Sequence, residues 1–246
     1  MEYESLDEFR ERAGYLIDGV WYPRVTSIVS IKAKPALYRY YGGMRSFKAA
    51  DDAKEASARE GTMVHEAVEA ILNGTHEPVP ATIEPSIDAF REFLRNNHVE
   101  PLLIEERVVS RNHRYAGTID ALARINGVVG VLDIKTSKSV YRDYGMQIAA
   151  YIAALTETPD IEQPITSWVL RLDQCRTCQL CGVSLRTKGG VFRVSAGGKG
   201  CLHQWGPMEG RFEFVEFGTH AHDLNAFLAA KTLWEWEHHD LLSQLS

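Results

Sequence analysis

Long apolar runs are missing from this chain of 246 residues. No stretch approaches the roughly 20 residues that a bilayer-crossing helix requires. The opening Met1-Glu2-Tyr3-Glu4 is acidic where a secretion signal would be basic and then apolar. The expectation is a cytoplasmic protein with no membrane partner. An excess of positive charge is missing as well, since 27 Lys and Arg against 33 Asp and Glu leave a net charge of -6. That removes overall charge as an argument for a nucleic-acid binder. It argues only weakly against one, because an acidic metal site weighs heavily in the sum and basic residues can cluster. Cysteine is scarce: four residues, all between Cys175 and Cys201. In a reducing compartment such a group reads as a metal site rather than as two disulfides. Internal repeats and low-complexity tracts are also missing, which leaves an ordinary globular composition of 45% hydrophobic and 24% charged residues.

What is present is a hairpin with chemistry on it. Asp133-Ile134-Lys135 closes the apolar run Val128 to Leu132, and Gly117-Thr118-Ile119-Asp120 is joined to it through Asn126-Gly127. Asn-Gly between two apolar runs signals a type I′ turn, which needs positive φ at both central residues. Pairing Ile125 with Val128 and counting outward sets Asp120 opposite Asp133. Facing residues have Cβ atoms about 4.5–5.5 Å apart, where like charges destabilise. Lys135, two residues beyond Asp133, projects to the same face. Two carboxylates so placed suit a divalent cation such as Mg²⁺, completed by substrate phosphate. Lys135 would then hold a phosphate oxygen or orient a water. The alternative is a buried ion cluster in which Lys135 neutralises one aspartate and solvent relieves the other.

Around the hairpin the pattern alternates between strand and helix. Tyr15 to Ile31 predicts a short hairpin about Gly19, followed by Pro23-Arg24-Val25-Thr26-Ser27. A helix is expected from Pro35 to about Arg59, where Tyr38, Arg39, Tyr40, Tyr41, Arg45 and Lys48 either line a nucleic-acid groove or form a solvated face. Gly61-Thr62 then precedes an amphipathic helix on Val64, Val68, Ile71 and Leu72, stopped by Asn73-Gly74. His65 and Glu69, four apart, share a face. A Pro-rich loop from Pro78 to Pro85 leads to a helix on Ile87, Phe90, Phe93 and Leu94. A strand from Leu102 to Val109 delivers Glu105 and Glu106, of which alternation turns only one inward. Beyond the hairpin a helix from about Tyr144 to Leu155 carries Gln147 and Tyr151 on one side. Strands at Ser167–Leu172 and Arg211–Phe217 bracket the cysteines. A last helix from Ala221 to Leu242 packs through Leu224, Phe227, Leu228, Leu233 and Trp234.

Gly61-Thr62-x-x-His65, Gly117-Thr118-Ile119-Asp120, Asp133-Ile134-Lys135-Thr136 and Gln147-x-x-x-Tyr151, in this order, resemble the RecB-like branch of the PD-(D/E)xK nuclease superfamily. The resemblance covers roughly residues 15 to 155. It implies an α/β, restriction-endonuclease-like core, a mixed sheet flanked by helices, as a single domain over 1–246. It also implies Mg²⁺ or Mn²⁺ bound by His65, Asp120, Asp133 and the Ile134 carbonyl. Lys135 would assist the attacking water, while Gln147 and Tyr151 would support the site and contact DNA. Glu105 stands where many relatives carry an acidic residue. Similarity to relatives with a Pro-x-Val-Thr-Ser segment makes Arg24, Thr26 and Ser27 candidate phosphate contacts, structural strand residues being the alternative. The implied activity is metal-dependent hydrolysis of DNA in repair, recombination or phage-type processing, more as an exonuclease on ends or single strands than as an endonuclease. The competing reading is an inactive nucleic-acid-binding module.

The cysteines fall in an insertion at 174–207. Cys178 and Cys181, followed by Gly182, look like a zinc knuckle, because glycine lets main-chain amides turn toward the sulfurs. A structural Zn²⁺ would take Cys178, Cys181, Cys201 and either Cys175 or His203. The other reading is an iron–sulfur cluster on all four cysteines, which several RecB-like nucleases carry. Those relatives usually supply one cysteine from upstream, and this chain has none there, which favours zinc. The segment also holds Arg186, Lys188, Arg193 and Lys199 without an acidic residue. That basic lobe could attract phosphate and Trp205 could stack on bases, or the lobe could serve stability alone.

Overall fold

The computed structural model describes residues 3–32, 38, 41–44, 46–75, 77–159, 161–163 and 165–245. In chain order the elements are α1 Leu6–Ala13, β1 Gly14–Ile17, β2 Val20–Pro23, α2 Val25–Ser30, α3 Phe47–Leu72, α4 Glu84–Asn96, β3 Val99–Ser110, β4 Tyr115–Ile125 and β5 Val128–Lys135. They continue with α5 Asp143–Thr156, β6 Thr166–Cys178, β7 Ser184–Lys188, β8 Val191–Val194, β9 Trp205–Glu216, α6 His220–Glu237 and α7 His239–Leu242. This is the expected α/β architecture: a mixed seven-stranded sheet ordered β3-β4-β5-β6-β7-β8, with β9 also paired to β6. Only the β5–β6 pair in it is parallel, its crossover made by α5. β1 and β2 form a separate hairpin.

The central hairpin forms as its turn dictates. Asn126 and Gly127 have φ of 51° and 88°, and Ile125 pairs with Val128. Its ladder runs to Ala121 opposite Leu132. One step further, the Asp120 carboxylate accepts the Ile134 N–H at 2.6 Å. Asp120 and Asp133 therefore occupy facing positions just beyond the end of the ladder.

Each face of the sheet has its own core. On one, Val129 and Val131 of β5 meet Ile148, Ile152 and Leu155 of α5, Val25 and Ile28 of α2, and Phe227 and Trp234 of α6. On the other, Leu132 and Ile134 of β5 meet Val64 and Val68 of α3 and Ile87, Phe90 and Phe93 of α4. The alternation of β5 thus sends Asp133 to the α5 side, and α3 covers the opposite face.

Several expectations need correction. Gly61 does not begin a helix: α3 runs unbroken through it, capped by Ser46, whose Oγ accepts the Ala49 N–H at 3.1 Å. Glycine allows a close approach there, since a Cβ would lie 3.1 Å from Thr136 Oγ1. The Pro35 start of the first helix, with Arg39, Tyr40 and Arg45, lies outside the described residues. Val25, Thr26 and Ser27 form the first turn of α2, not a strand. Leu233 is 48% exposed and leaves the packing face of α6 to its neighbours. The cysteine segment joins the sheet, since β6 and β9 run into it and β7 pairs with β6.

Candidate active site

Three elements, α3, β3 and α5, converge at the open end of the β4–β5 hairpin. From α3, His65 Nδ1 lies 3.3 Å from Asp120 Oδ1. From β3, Glu105 joins them. One ligand atom from each of His65, Glu105 and Asp120 lies within 4.8 Å of the others, a spacing that could hold a metal ion. Glu105 adopts φ of 48°, the left-handed region that a non-glycine residue enters at a cost of roughly 1–3 kcal/mol and that concentrates at functional sites. Its neighbour Glu106 keeps the regular strand pairing, with Ile119. Asp133 stands apart from the trio. Its Oδ1 accepts from Gln147 Nε2 at 3.1 Å, and Gln147 in turn reaches the Tyr151 hydroxyl at 3.0 Å. Its Oδ2 lies 2.6 Å from Lys135 Nζ. That contact is one of charge rather than a well-directed hydrogen bond, and Oδ2 has no hydrogen-bond partner. The arrangement places His65, Glu105, Asp120, Asp133, Lys135, Gln147 and Tyr151 in one continuous site.

The electrostatics divide the acids. Burial pushes Asp133 up to about 6, and the nearby Asp120 adds to the shift against the pull of Lys135. Burial, followed by Asp120, raises Glu105 to about 7. Asp120 also suffers burial, but the hydrogen bond and charge of His65 outweigh it and hold its pKa low. His65 is correspondingly raised: burial opposes its charge, but the hydrogen bond and charge of Asp120 outweigh that. The sign for stability follows. Asp133, Glu105 and His65 all bind protons more tightly folded than unfolded, so without metal their contribution is lost as pH rises from about 4 to above 7. The urea midpoint of the metal-free chain is expected to carry this decline, and Asp133→Asn to flatten it between pH 4 and 6. An unchanged slope in that variant would contradict the picture.

The site opens on a cleft of about 860 Å³. Its floor is the hairpin, one wall is the α3 face from Lys54 to Glu69, and Tyr15, Arg24, Thr26 and Lys188 also line it. No protein-family model and no curated protein matches this chain. The cleft and its chemistry therefore carry the functional argument themselves.

Among the candidate phosphate contacts, Arg24 and Thr26 line the cleft and Ser27 does not. Arg24 Nε is buried without a hydrogen-bond partner, and its guanidinium lies 4.4 Å from the Tyr15 ring centroid. Arg107 approaches the same ring at 4.5 Å, while the Tyr15 hydroxyl meets Thr118 Oγ1 at 3.3 Å. Tyr15, Arg107 and Lys54 escaped sequence reasoning, and no local motif marks them. Arg186 is drawn inward, pairing with Asp173 at 2.7 Å. Lys188 reaches the cleft, where burial and then Arg186 lower its pKa to about 8. Arg193 lies on β8, exposed.

The second site lies at the base of β7 and β8. Cys178, Cys181, Cys201 and His203 offer ligand atoms within 4.8 Å of one another, a group that could bind a metal such as zinc. Cys178 and Cys201 sulfurs are 3.9 Å apart, and Cys181 Sγ lies 3.4 Å from His203 Nδ1. Cys175 is buried on β6 outside this group, so His203 takes the fourth place. Burial opposes ionisation of Cys178, but the Leu180 and Cys181 N–H groups bring it down to about 6. Burial raises Cys201 to about 11, as do its hydrogen bonds with Cys181 and Cys178. Ionised together, sulfurs this close would need a cation between them, which a bound metal would supply. Gly182 turns with φ of 74° and donates to the Cys178 carbonyl at 2.9 Å, as a knuckle requires. Trp205 lies 4.7 Å from the His203 ring, so that face is already covered. Among the described residues no helix is long and apolar enough to cross a membrane.

Proposed function

We propose that this chain is a divalent-metal-dependent deoxyribonuclease of the RecB-like PD-(D/E)xK kind, acting on DNA ends or single strands in repair, recombination or phage-type processing. The observation that carries the reading is the trio His65, Glu105 and Asp120, close enough to share one ion and set beside Lys135 in an open cleft. The donor set is a carboxylate-rich one with a single imidazole, which fits Mg²⁺ or Mn²⁺. Asp133 borders the trio with its Oδ1 taken by Gln147 and its Oδ2 paired with Lys135, so the ion would rest chiefly on the trio. Bound there with the Ile134 carbonyl in support, the ion would supply an acidified water and charge neutralisation at phosphate.

The chain's own residues do the rest. Lys135 brings a fixed positive charge to the scissile phosphate and keeps Asp133 ionised. Gln147 orients Asp133, and Tyr151 orients Gln147. Arg24, with its unsatisfied Nε, and Lys188 hold phosphates on either side. At the second site we assign Zn²⁺. A tetrahedral zinc with bonds of about 2.3 Å to sulfur has S···S edges of about 3.8 Å, close to the 3.9 Å between Cys178 and Cys201. An iron–sulfur cluster on all four cysteines would need Cys175, which the group leaves out. Thiolate ligands of this kind belong in a reducing, cytoplasmic compartment.

The decisive experiment is cleavage of end-labelled linear DNA, circular DNA and RNA, with Mg²⁺ or Mn²⁺ and with chelator. Linear DNA is expected to be degraded only with metal, and circular DNA to be spared. Failure to cleave any substrate overturns the enzymatic reading, and binding without cleavage would leave the inactive module. A preference for RNA would overturn the choice of substrate.

A further inference from the structure

The cysteine–histidine group and the cleft lie at opposite ends of one ribbon. Cys178 and Cys181 precede β7, Cys201 and His203 follow β8, and Gly189-Gly190 makes the distant turn. That turn is seated on α3. The Gly189 N–H donates to Glu60 Oε1 at 3.0 Å, and a Cβ on Gly189 would collide with the Ala53 carbonyl and lie 2.9 Å from Ser57 N. Lys188 comes just before the turn, its Nζ donating to the Thr136 carbonyl at 2.5 Å. Arg186 donates to the same carbonyl at 2.9 Å. Thr136 directly follows Lys135, so the ribbon braces the end of the catalytic strand.

A two-stranded ribbon is marginal by itself, and β7 meets β6 over only Cys175, Arg176 and Thr177. That short pairing holds the base on the β7 side, and the four ligands would tie the start of β7 to the segment that follows β8. We infer that the metal held by Cys178, Cys181, Cys201 and His203 is a clamp that keeps Lys188 in the cleft, where its ammonium binds a phosphate of the nucleic-acid strand. From Ser184 to Lys188 the strand spans about 13 Å, so the clamp acts through the ribbon. An ammonium has three donors and can keep Thr136 while taking a phosphate oxygen. The nature of the ligand rests on the nuclease reading; the clamp does not.

Two measurements on the full chain separate the parts. The first is hydrogen exchange before and after zinc removal by a chelator. Exchange at 184–194, including the Gly189 amide, is expected to rise at least about tenfold, while Ile134 stays protected. Unchanged exchange in the ribbon overturns the clamp. The second is anisotropy of a labelled single-stranded oligonucleotide with Mg²⁺, in an Asp120→Asn background that binds without cutting. Lys188→Gln and Gly189→Val are each expected to weaken binding about tenfold at full zinc content, the factor of about 1.4 kcal/mol. Cys201→Ser should weaken it equally, with Lys188→Gln adding nothing further on top. Wild-type affinity in Gly189→Val or Lys188→Gln, or additive loss in the double variant, overturns the proposal. If the parent does not bind DNA at all, the nuclease reading falls, and the exchange result alone judges the clamp.

Discussion

A Lys135→Met chain is expected to cleave DNA about a hundredfold to a thousandfold more slowly and to lose roughly 3 kcal/mol of stability. Both effects have one origin. The Lys135 side chain is 17% exposed and that of Asp133 2%, with Nζ at 2.6 Å from Oδ2. Without the ammonium, Asp133 loses the cation that offsets its burial, and beside the low-pKa Asp120 its carboxyl must hold an unpaired charge or take up a proton at a still higher pKa. Removing one partner of a buried pair typically costs about 3–5 kcal/mol, whereas replacing both with neutral groups is often close to neutral. Asp133→Asn with Lys135→Met should therefore regain most of the stability in urea unfolding and none of the activity. A double variant no more stable than Lys135→Met, or a single variant that cleaves normally, would contradict the assignment.

Gly117→Ala is the second large effect, and it acts at a distance from the metal trio. A Cβ on Gly117 would run into Tyr151 Cε1 and lie 3.2 Å from both Tyr151 Cδ1 and Val25 Cγ2. Tyr151 is 2% exposed and has nowhere to withdraw. Its displacement would pull Gln147 away from Asp133. Overpacking of this kind costs about 1–3 kcal/mol, and a misplacement near 1 Å in a catalytic group costs about a hundredfold in rate. Pairing Gly117→Ala with Tyr151→Val should restore the unfolding midpoint while the rate stays low. Wild-type cleavage by Gly117→Ala would remove Tyr151 from the supporting set.

The sequence was most legible where local backbone chemistry leaves little choice. Asn126-Gly127 admits one turn, that turn admits one register, and the register brings Asp120, Asp133 and Lys135 together. The stripe Ile87, Phe90 and Phe93 likewise fixed α4, all three being fully buried. Reading failed where tertiary contact overrides a local signal. Gly61 looks like a break because glycine weakens helices, yet α3 continues through it, its far half anchored by Val64 and Val68 in the core. Val25, Thr26, Ile28 and Val29 favour strands, but they form α2 because their apolar members fit the core beside α5 and α6. The tail of β6, Asp173 to Cys178, carries polar residues that hide a strand whose neighbours are the charged residues of the ribbon. Spacing alone could not choose between Cys175 and His203, since only the pairing of β6 with β7 and β9 shows which of them stays on the sheet.

The tight turn at Asn126-Gly127 also bears on the order of events as the chain folds. Hairpins close within about 1–10 μs because their contacts are local, whereas joining β5 to β6 in parallel must wait for α5 and for β6 itself. The two aspartates that repel each other and the lysine that separates them all lie between residues 120 and 135. Each nascent copy thus carries its own counter-charge as the acids come together, before His65, Gln147 or the ribbon has docked. The lysine nearest in sequence offsets one of the two acids, and the second, Asp120, finds its partner when His65 docks.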